Sequence, residues 1–496
     1  MKGEVPAFGR NAAVSRSSNT LAAPALAAAM ALGAGLFLLN WLQLVPAVAL
    51  PPRAWIAAAA AGAAVVWAAR VWRLAALPRE HPEVAADAEA LLLPLDGLQA
   101  AIDRLAEPAD ARGAVDLLLR HAVGHDASDV HLVPYTSFCD VRFRIDGAMT
   151  PVAKLSPALV AAVTNRLKVL SGLQPYIRHR PQDGRFSLPT AGHAMDVRAA
   201  FMPTLHGERI VMRVLDRADA GRGLSTIGLT RSQQACLSEA LRQPQGLLIV
   251  TGPAGCGKTT TIYCALRAIV ELSHGERSVC TLENPVEYDL ATINQTSIGE
   301  SADLTFAGGL RTMLRQDPDV IMVGEIRDEE TARTAVQAGL TGHLIITTVH
   351  AKRAAAAFLR LAELGIDARS VAASVSFVVA QRLLRQLCSH CRVEAVPTPG
   401  ERQAFGAALD GHVFFRPAGC RRCGMKGYVG RHGVFEVLPV DEGARALIAA
   451  GAPPEAIQHH AAEKGFSSLR DNALEQAVLG ETSLAEVLRV TMTEVG

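Results

Sequence analysis

Gly246-Leu-Leu-Ile-Val-Thr-Gly-Pro-Ala-Gly-Cys-Gly-Lys-Thr259 is the stretch on which the reading of this chain turns. An apolar run, a glycine-rich loop and the start of an amphipathic stretch predict strand, loop and helix in that order. Such a loop curls its backbone N–H groups around phosphate oxygens, and the helix that follows turns its positive end towards them. The loop comprises Gly252, Pro253, Ala254, Gly255, Cys256, Gly257, Lys258, Thr259 and Thr260. Lys258 is spaced to reach the terminal phosphates, and the Thr259 hydroxyl to ligate Mg2+. The expected ligand is a nucleoside triphosphate, and the loop alone leaves open what its turnover drives. Cys256, inside the loop, is an expected site of thiol modification.

Downstream of the loop, the apolar runs Val279–Leu282, Val320–Val323 and Leu344–Thr348 alternate with helical stretches, which predicts a mainly parallel sheet covered by helices. Each run ends in residues suited to phosphate chemistry. Leu282-Glu-Asn-Pro-Val-Glu-Tyr288 brings Glu283 and Glu287 to one edge, where hydrolysis needs a group to orient or deprotonate water. Glu325 closes Val320-Ile-Met-Val-Gly-Glu325, the place where an acid orients magnesium, although an apolar run ending in an acid is common in strands generally. His343 and His350 bracket the last run, and either one is a candidate to sense the γ-phosphate. Arg311, Arg315 and Arg327 lie near the acidic strand, and Arg142, Arg144, Arg166, Arg178 and Arg180 precede the loop. Arginines stabilise charge on a transferring phosphoryl group, but surface arginines are commonly just solvated, and sequence selects none of these.

The chain of 496 residues is too long for one core and suggests about three domains. A net charge of +1 and an aromatic content of 5% give no basic, base-stacking surface, so no nucleic-acid partner is expected. No charged residue occurs between Ser17 and Pro52 or between Ala54 and Ala69, with basic residues outside both ends. These features predict two membrane-spanning helices, about 21–45 and 54–76, within a hairpin over 1–78 whose ends both face the cytoplasm. An interfacial or buried alanine-rich helix pair is the alternative. A linker over 79–112 leads to an α+β unit over 113–220 with strands at Val130–Val133, Cys139–Ile145, Gly184–Leu188, Met195–Ala200 and Arg209–Leu215. A connector over 221–231 then precedes the P-loop domain, 232–387. Cys388-Ser-His-Cys391 and Cys420-Arg-Arg-Cys423 form paired C-x-x-C knuckles within 388–440, the spacing of a structural Zn2+ site. The cysteines at 139, 236, 256, 264 and 280 lack ligand spacing. Leu- and Ala-rich helices fill 441–496.

Taken together, these motifs resemble the ATPases that power type II secretion and type IV pilus assembly. The resemblance rests on Ala127-Ser-Asp-Val-His131, Arg142-Phe-Arg-Ile-Asp-Gly147, Pro181-Gln-Asp-Gly-Arg185 and Gly207-Glu-Arg209. It continues through the P-loop, the 282–288 and 314–328 stretches, Thr341-Gly-His343 to His350, Ala380-Gln-Arg-Leu-Leu-Arg-Gln-Leu-Cys388 and Gly427-Tyr-Val-Gly-Arg431. It implies a RecA-like α/β P-loop ATPase core, a preceding α+β, PAS-like domain that closes over ATP, a zinc module, C-terminal helices and a homo-hexameric ring. It further implies Glu287 as catalytic glutamate, Glu325 as the Walker B acid, His343 and His350 as the histidine box, and arginines of the preceding domain near the phosphates. The expected setting is the bacterial inner membrane, with platform and assembly proteins as partners. Asn284 stands where the family usually has Asp, Ala254 and Cys256 replace the usual Thr and Ser, and Ala351-Lys-Arg353 follows His350 in place of Thr-Asn. The apolar hairpin stands where the family carries a docking domain. A catalytically impaired ATP-binding scaffold or regulator is the rival reading.

Overall fold

The computed structural model of the chain describes residues 97–106, 109–189, 194–215, 222–299 and 304–492. The expected membrane hairpin lies outside the described residues, among which no helix is long and apolar enough to cross a membrane.

The first module opens with α1 (Leu98–Asp103) and α2 (Ala111–Gly124), the latter capped by the Asp110 carboxylate, which accepts the Gly113 N–H. Strands β1 (Ala127–Pro134), β2 (Cys139–Ile145) and β3 (Ala148–Leu155) follow, then α3 (Pro157–Leu170), β4 (Gln182–Pro189), β5 (Ala194–Thr204) and β6 (Gly207–Leu215). They form a six-stranded antiparallel sheet in the order β3-β2-β1-β6-β5-β4. Alternate residues point to opposite faces. Val130, Leu132, Val141, Phe143, Val197 and Phe201 form the core with Leu118 of α2 and Leu167 of α3, and the other face carries the charges. Leu98 and Ile102 are buried in the same core, so part of the stretch expected as linker belongs to the module.

The second module starts with α4 (Arg231–Leu241), whose Thr230 and Gln233 cap each other reciprocally. Then come β7 (Gly246–Thr251), α5 (Lys258–Leu272), β8 (Val279–Glu283), β9 (Asn294–Ser297), α6 (Phe306–Met313), β10 (Val320–Val323), α7 (Glu329–Leu340) and β11 (Leu344–Val349). Helices α8 (Ala356–Glu363) and α9 (Ala368–Ser374) lead into β12 (Val375–Leu387). The sheet order is β15-β12-β7-β11-β10-β8-β9, where β15 (Tyr428–Pro439) runs antiparallel to β12 and the other pairings are parallel. Helices cover both faces, which is why β7 reads as an unbroken apolar run. Leu247 and Ile249 enter one core, while Leu248 and Val250 enter the other beside Leu266 and Ile269 of α5. Each such side chain contributes about 1.5–3 kcal/mol by leaving water.

Between β12 and β15 lie β13 (Arg392–Ala395), α10 (Pro399–Phe405) and β14 (Phe414–Pro417), with β13 and β14 paired as a small ribbon. The expected division at 388–440 is thereby revised: β15, its last strand, belongs to the seven-stranded sheet, because thirteen-residue β12 offers it a free edge. The C-terminal helices α11 (Glu442–Ala449), α12 (Pro454–Glu463), α13 (Leu469–Val478) and α14 (Leu484–Thr491) are not a separate layer either. Ile448, Ile457, Leu469 and Val487 enter the same core as Leu247 and Ile249.

Candidate active site

A P-loop needs backbone torsions that side chains resist. Gly257, the residue before α5, sits at φ +87°, and Gly252 at φ +148°. A Cβ at Gly252 would lie 2.6 Å from both the Cys256 Sγ and the Gln381 carbonyl oxygen, so the loop is held tightly against β12. Gln381 also reaches the helix side, accepting the Thr261 hydroxyl at 2.8 Å. Arg382 is buried beneath the loop and donates to the carbonyls of Gln381 and Lys352. The Lys258 ammonium turns back onto the loop, donating to the Gly252 and Pro253 carbonyls at 2.9 Å each. Burial lowers its pKa, against the opposing pull of Cys256 and Glu325. The Cys256 thiol is 4% exposed, and burial pushes its pKa up despite nearby Lys258 and Arg382. The expectation that this cysteine is a modification site is therefore corrected: it is neither accessible nor thiolate-prone.

Strand register decides which of the other candidates share this edge. Parallel pairing sets Val349 beside Thr251 and Leu344 beside Gly246. His350 thus emerges next to the P-loop, with its Nε2 4.0 Å from the Glu325 carboxylate. His343 precedes the strand, at the far edge, roughly 20 Å away at ~3.3 Å per residue. Its Nδ1 lies 3.3 Å from the Ala338 carbonyl. The expectation that His343 can read the γ-phosphate fails for a nucleotide bound to the same chain. Glu325 follows β10 and is paired with Arg327 at 2.8 Å, and the Gly324 N–H donates to the Leu282 carbonyl, fixing the turn.

The acid that closes β8 and the one four residues on differ sharply. Glu283 is buried, accepting the Tyr263 hydroxyl at 2.5 Å, the Thr281 hydroxyl at 2.6 Å and the Gln295 amide at 3.1 Å. Glu287 is half-buried and meets a residue that sequence reasoning missed: Arg198 of β5, whose Nη2 is 2.8 Å from its carboxylate and 3.3 Å from the Val286 carbonyl. Asn284 is exposed.

Arg198 belongs to a row. Cross-strand pairing places Arg185, Arg198, Arg213, Asp129 and Arg144 side by side across β4, β5, β6, β1 and β2. Like charges directly opposite one another repel. Buried Asp129 offsets part of this by taking Arg213 at 3.1 Å and Arg144 at 3.4 Å, and Glu287 takes Arg198. The surplus positive charge on this face suits a polyanion. Of the arginines proposed from sequence, Arg144 is in the row and Arg142 pairs with Asp140 at 2.7 Å. Arg166 lies on α3, whose Leu159, Val163 and Leu167 cover the opposite, apolar face, so it is not brought to the site. Arg311 pairs with Glu330, and Arg315 is exposed. No sequence signal singled out Arg198, because its importance comes from pairing register and from the docking of one module on the other.

The four knuckle cysteines converge, with all Sγ atoms within 4.8 Å of one another. Cys388–Cys420, Cys391–Cys423 and Cys420–Cys423 are separated by 3.9, 3.8 and 3.8 Å. A tetrahedron with Zn–S bonds of ~2.3 Å has edges of ~3.8 Å, so the donor set fits that ion. Burial raises Cys391 to about 11. At Cys423 burial acts the same way, but the Cys420 and Gly427 N–H groups outweigh it and bring the thiol to about 7, towards the thiolate a metal takes. None of the nine cysteines is in a disulfide, and four of the five outside the cluster are buried.

Comparison with known proteins matches residues 108–489 to the family model described as type II/IV secretion system protein. The chain belongs to this family. Among its relatives, the type II secretion system protein E of Aeromonas hydrophila is 41% identical over 379 residues, 76% of this chain and 75% of that protein. The type IV pilus assembly ATPase PilB of Thermus thermophilus is 40% identical over 385 residues, 77% of this chain and 43% of that one. A likeness in fold alone links it to the X-ray structure of the Legionella pneumophila ATPase DotB, with a TM-score of 0.57 at 22% identity over 76% of this chain and 95% of that one. The family match begins within the six-stranded module and runs through the cysteine cluster to α14, so the arginine row and the P-loop lie inside one family unit.

Proposed function

We propose that this chain hydrolyses ATP as the motor of a type II secretion or type IV pilus assembly machine. The observation that carries the reading is the meeting of two charged edges. Lys258, Glu325 and His350 lie on one, and on the other the arginine row holds Glu287 through Arg198. Phosphates entering between them exchange the Arg198–Glu287 pair for an Arg198–phosphate contact. Glu287 is then free to orient and deprotonate the attacking water. The P-loop N–H groups and Lys258 hold the β- and γ-phosphates. Thr259 and Glu325 would hold magnesium, which neutralises charge on those phosphates. The exchange of Arg198 between Glu287 and nucleotide couples turnover to the position of the six-stranded module, which is how hydrolysis becomes movement.

In the same reading the chain works as a homo-hexamer at the bacterial inner membrane, beside platform and assembly proteins, its PAS-like first module closing over ATP. Residues 21–45 and 54–76 anchor it as a hairpin, and the four cysteines hold one structural zinc. Steady-state ATP hydrolysis tests the core of the proposal. Glu287→Gln should lower kcat by about 100-fold or more while nucleotide still binds. Absence of turnover in the unmodified chain together with its membrane partner would replace the motor with an ATP-binding scaffold. For the anchor, full-length protein should resist an alkaline wash of membranes while residues 80–496 do not, and release of the full-length chain would refute it.

A further inference from the structure

Sequence offers two carboxylates four residues apart, one closing β8 and one in the loop that follows, and the structure gives them unlike surroundings. Glu283 is 3% exposed and has donors on both oxygens. The donor that matters is Tyr263, which is fully buried on α5, the helix whose first turn carries Lys258 and Thr259. Its hydroxyl donates to the Glu283 Oε2 at 2.5 Å. The Tyr263 hydroxyl oxygen in turn accepts the backbone N–H of Glu287 and the Gln295 amide, each at 3.3 Å. Gln295 closes the ring from β9, donating to the Glu283 Oε1 and to the Tyr288 carbonyl while accepting the Leu290 N–H at 2.6 Å. Tyr288 stands edge-on against the Tyr263 ring, with centroids 4.7 Å apart.

From this geometry we infer that Tyr263 and Glu283 are a positioning pair, which ties the backbone of Glu287 to the phosphate-binding helix and thereby sets the reach of the Glu287 carboxylate. The inference rests on Glu287 being the water-orienting group. The chemistry divides the labour between the two acids. A carboxylate saturated by three donors inside the core is a poor acceptor for a water proton, whereas Glu287 has one arginine that a phosphate can take from it. A buried phenol in contact with a carboxylate does not ionise, because burial first and Glu283 second push its pKa up, so Tyr263 stays a donor at every working pH. The oxygen that donates to Glu283 therefore keeps its lone pairs for Glu287 and Gln295. A displacement of the P-loop helix is transmitted to Glu287 through a single oxygen atom, with no flexible side chain between.

The test is ATP hydrolysis by full-length protein carrying Tyr263→Phe, Glu283→Gln, both together, and each in a Glu287→Gln background. Tyr263→Phe keeps the ring and its packing, and Glu283→Gln keeps the shape. The pair predicts that each single change lowers kcat by about 10- to 100-fold, the cost of a displacement on the order of 1 Å, with KM for ATP unchanged. The double variant should lose no more than the worse single variant. In the Glu287→Gln background, Tyr263→Phe should cost nothing further. Tyr263→Phe with wild-type kcat, a loss carried by KM, or an undiminished loss in the Glu287→Gln background would each overturn the inference, the last two by showing a packing role. Should Glu287→Gln itself turn over at the wild-type rate, the reading of Glu287 falls, and that result is visible without any Tyr263 variant. If Tyr263→Phe fails to fold, Glu283→Gln carries the same expectations alone.

Discussion

Glu486 of α14 is a buried carboxylate shared by two arginines, and losing its charge should cost stability in a pH-dependent way. Its side chain is fully buried and accepts from the Arg385 backbone N–H at 3.0 Å, from the Arg385 guanidinium at 3.0 and 2.7 Å, and from Arg489 at 2.7 and 2.5 Å. Burial alone would raise its pKa, yet the hydrogen bonds from Arg489 and Arg385 outweigh it and bring the value from 4.5 to about 2. A depressed carboxylate stabilises the folded state above its unfolded pKa, and that contribution fades as pH falls from about 4.5 towards 2. A shift of this size at 1.36 kcal/mol per unit corresponds to about 3 kcal/mol. Glu486→Gln keeps the shape and removes the charge that two arginines share. Hydrogen exchange of the 484–492 segment, compared between wild type and variant at each pH so that intrinsic exchange rates cancel, should differ by on the order of a hundred-fold at pH 7. The gap should shrink through pH 4 and nearly vanish near pH 2. A gap that does not change with pH, or equal protection at pH 7, would refute the electrostatic account and leave α14 held by its apolar face, Leu484, Val487 and Val490.

Two further outcomes follow from the cysteines. Cys420→Ser should remove one equivalent of zinc from the purified chain, and unchanged metal content would refute the four-thiolate assignment. Cys256, buried and with its pKa raised, should escape alkylation in the folded protein and react only after unfolding, so labelling of Cys256 in native protein would show that the loop opens in a way the structure does not.

The ATP-binding sheet was legible because doubly covered parallel strands have no polar face, so Leu247–Val250, Val320–Val323 and Leu344–Thr348 stand out as unbroken apolar runs. The P-loop was legible for a related reason: its glycines answer to torsions that are local. What sequence misjudged depends on distant partners. The strand β15 follows the second cysteine knuckle and reads as part of that module, yet it finds its ladder partner in β12, which is itself paired with β7. His343 and His350 look equivalent because both flank one strand, and only the direction of a parallel strand distinguishes its phosphate edge from its far edge.

The arginine row shows the same limit at the level of chemistry. Arg185, Arg198 and Arg213 each occupy an outward position in an alternating strand, which marks them as polar-face residues and nothing more. Register brings them abreast, and three adjacent guanidinium groups are tolerable only with anions beside them. Asp129 is one such anion, fixed within the module. Glu287 is the other, and it is borrowed from the ATPase sheet. In the proposed mechanism, a charge that is balanced only across a module boundary is rebalanced when a polyphosphate takes Arg198 from Glu287. Glu283 cannot make that exchange, since its partners are Tyr263, Thr281 and Gln295 of the ATPase domain itself. The distinction between the exchangeable acid and the fixed one lies in which module supplies the donor, and no spacing of carboxylates along a chain records it.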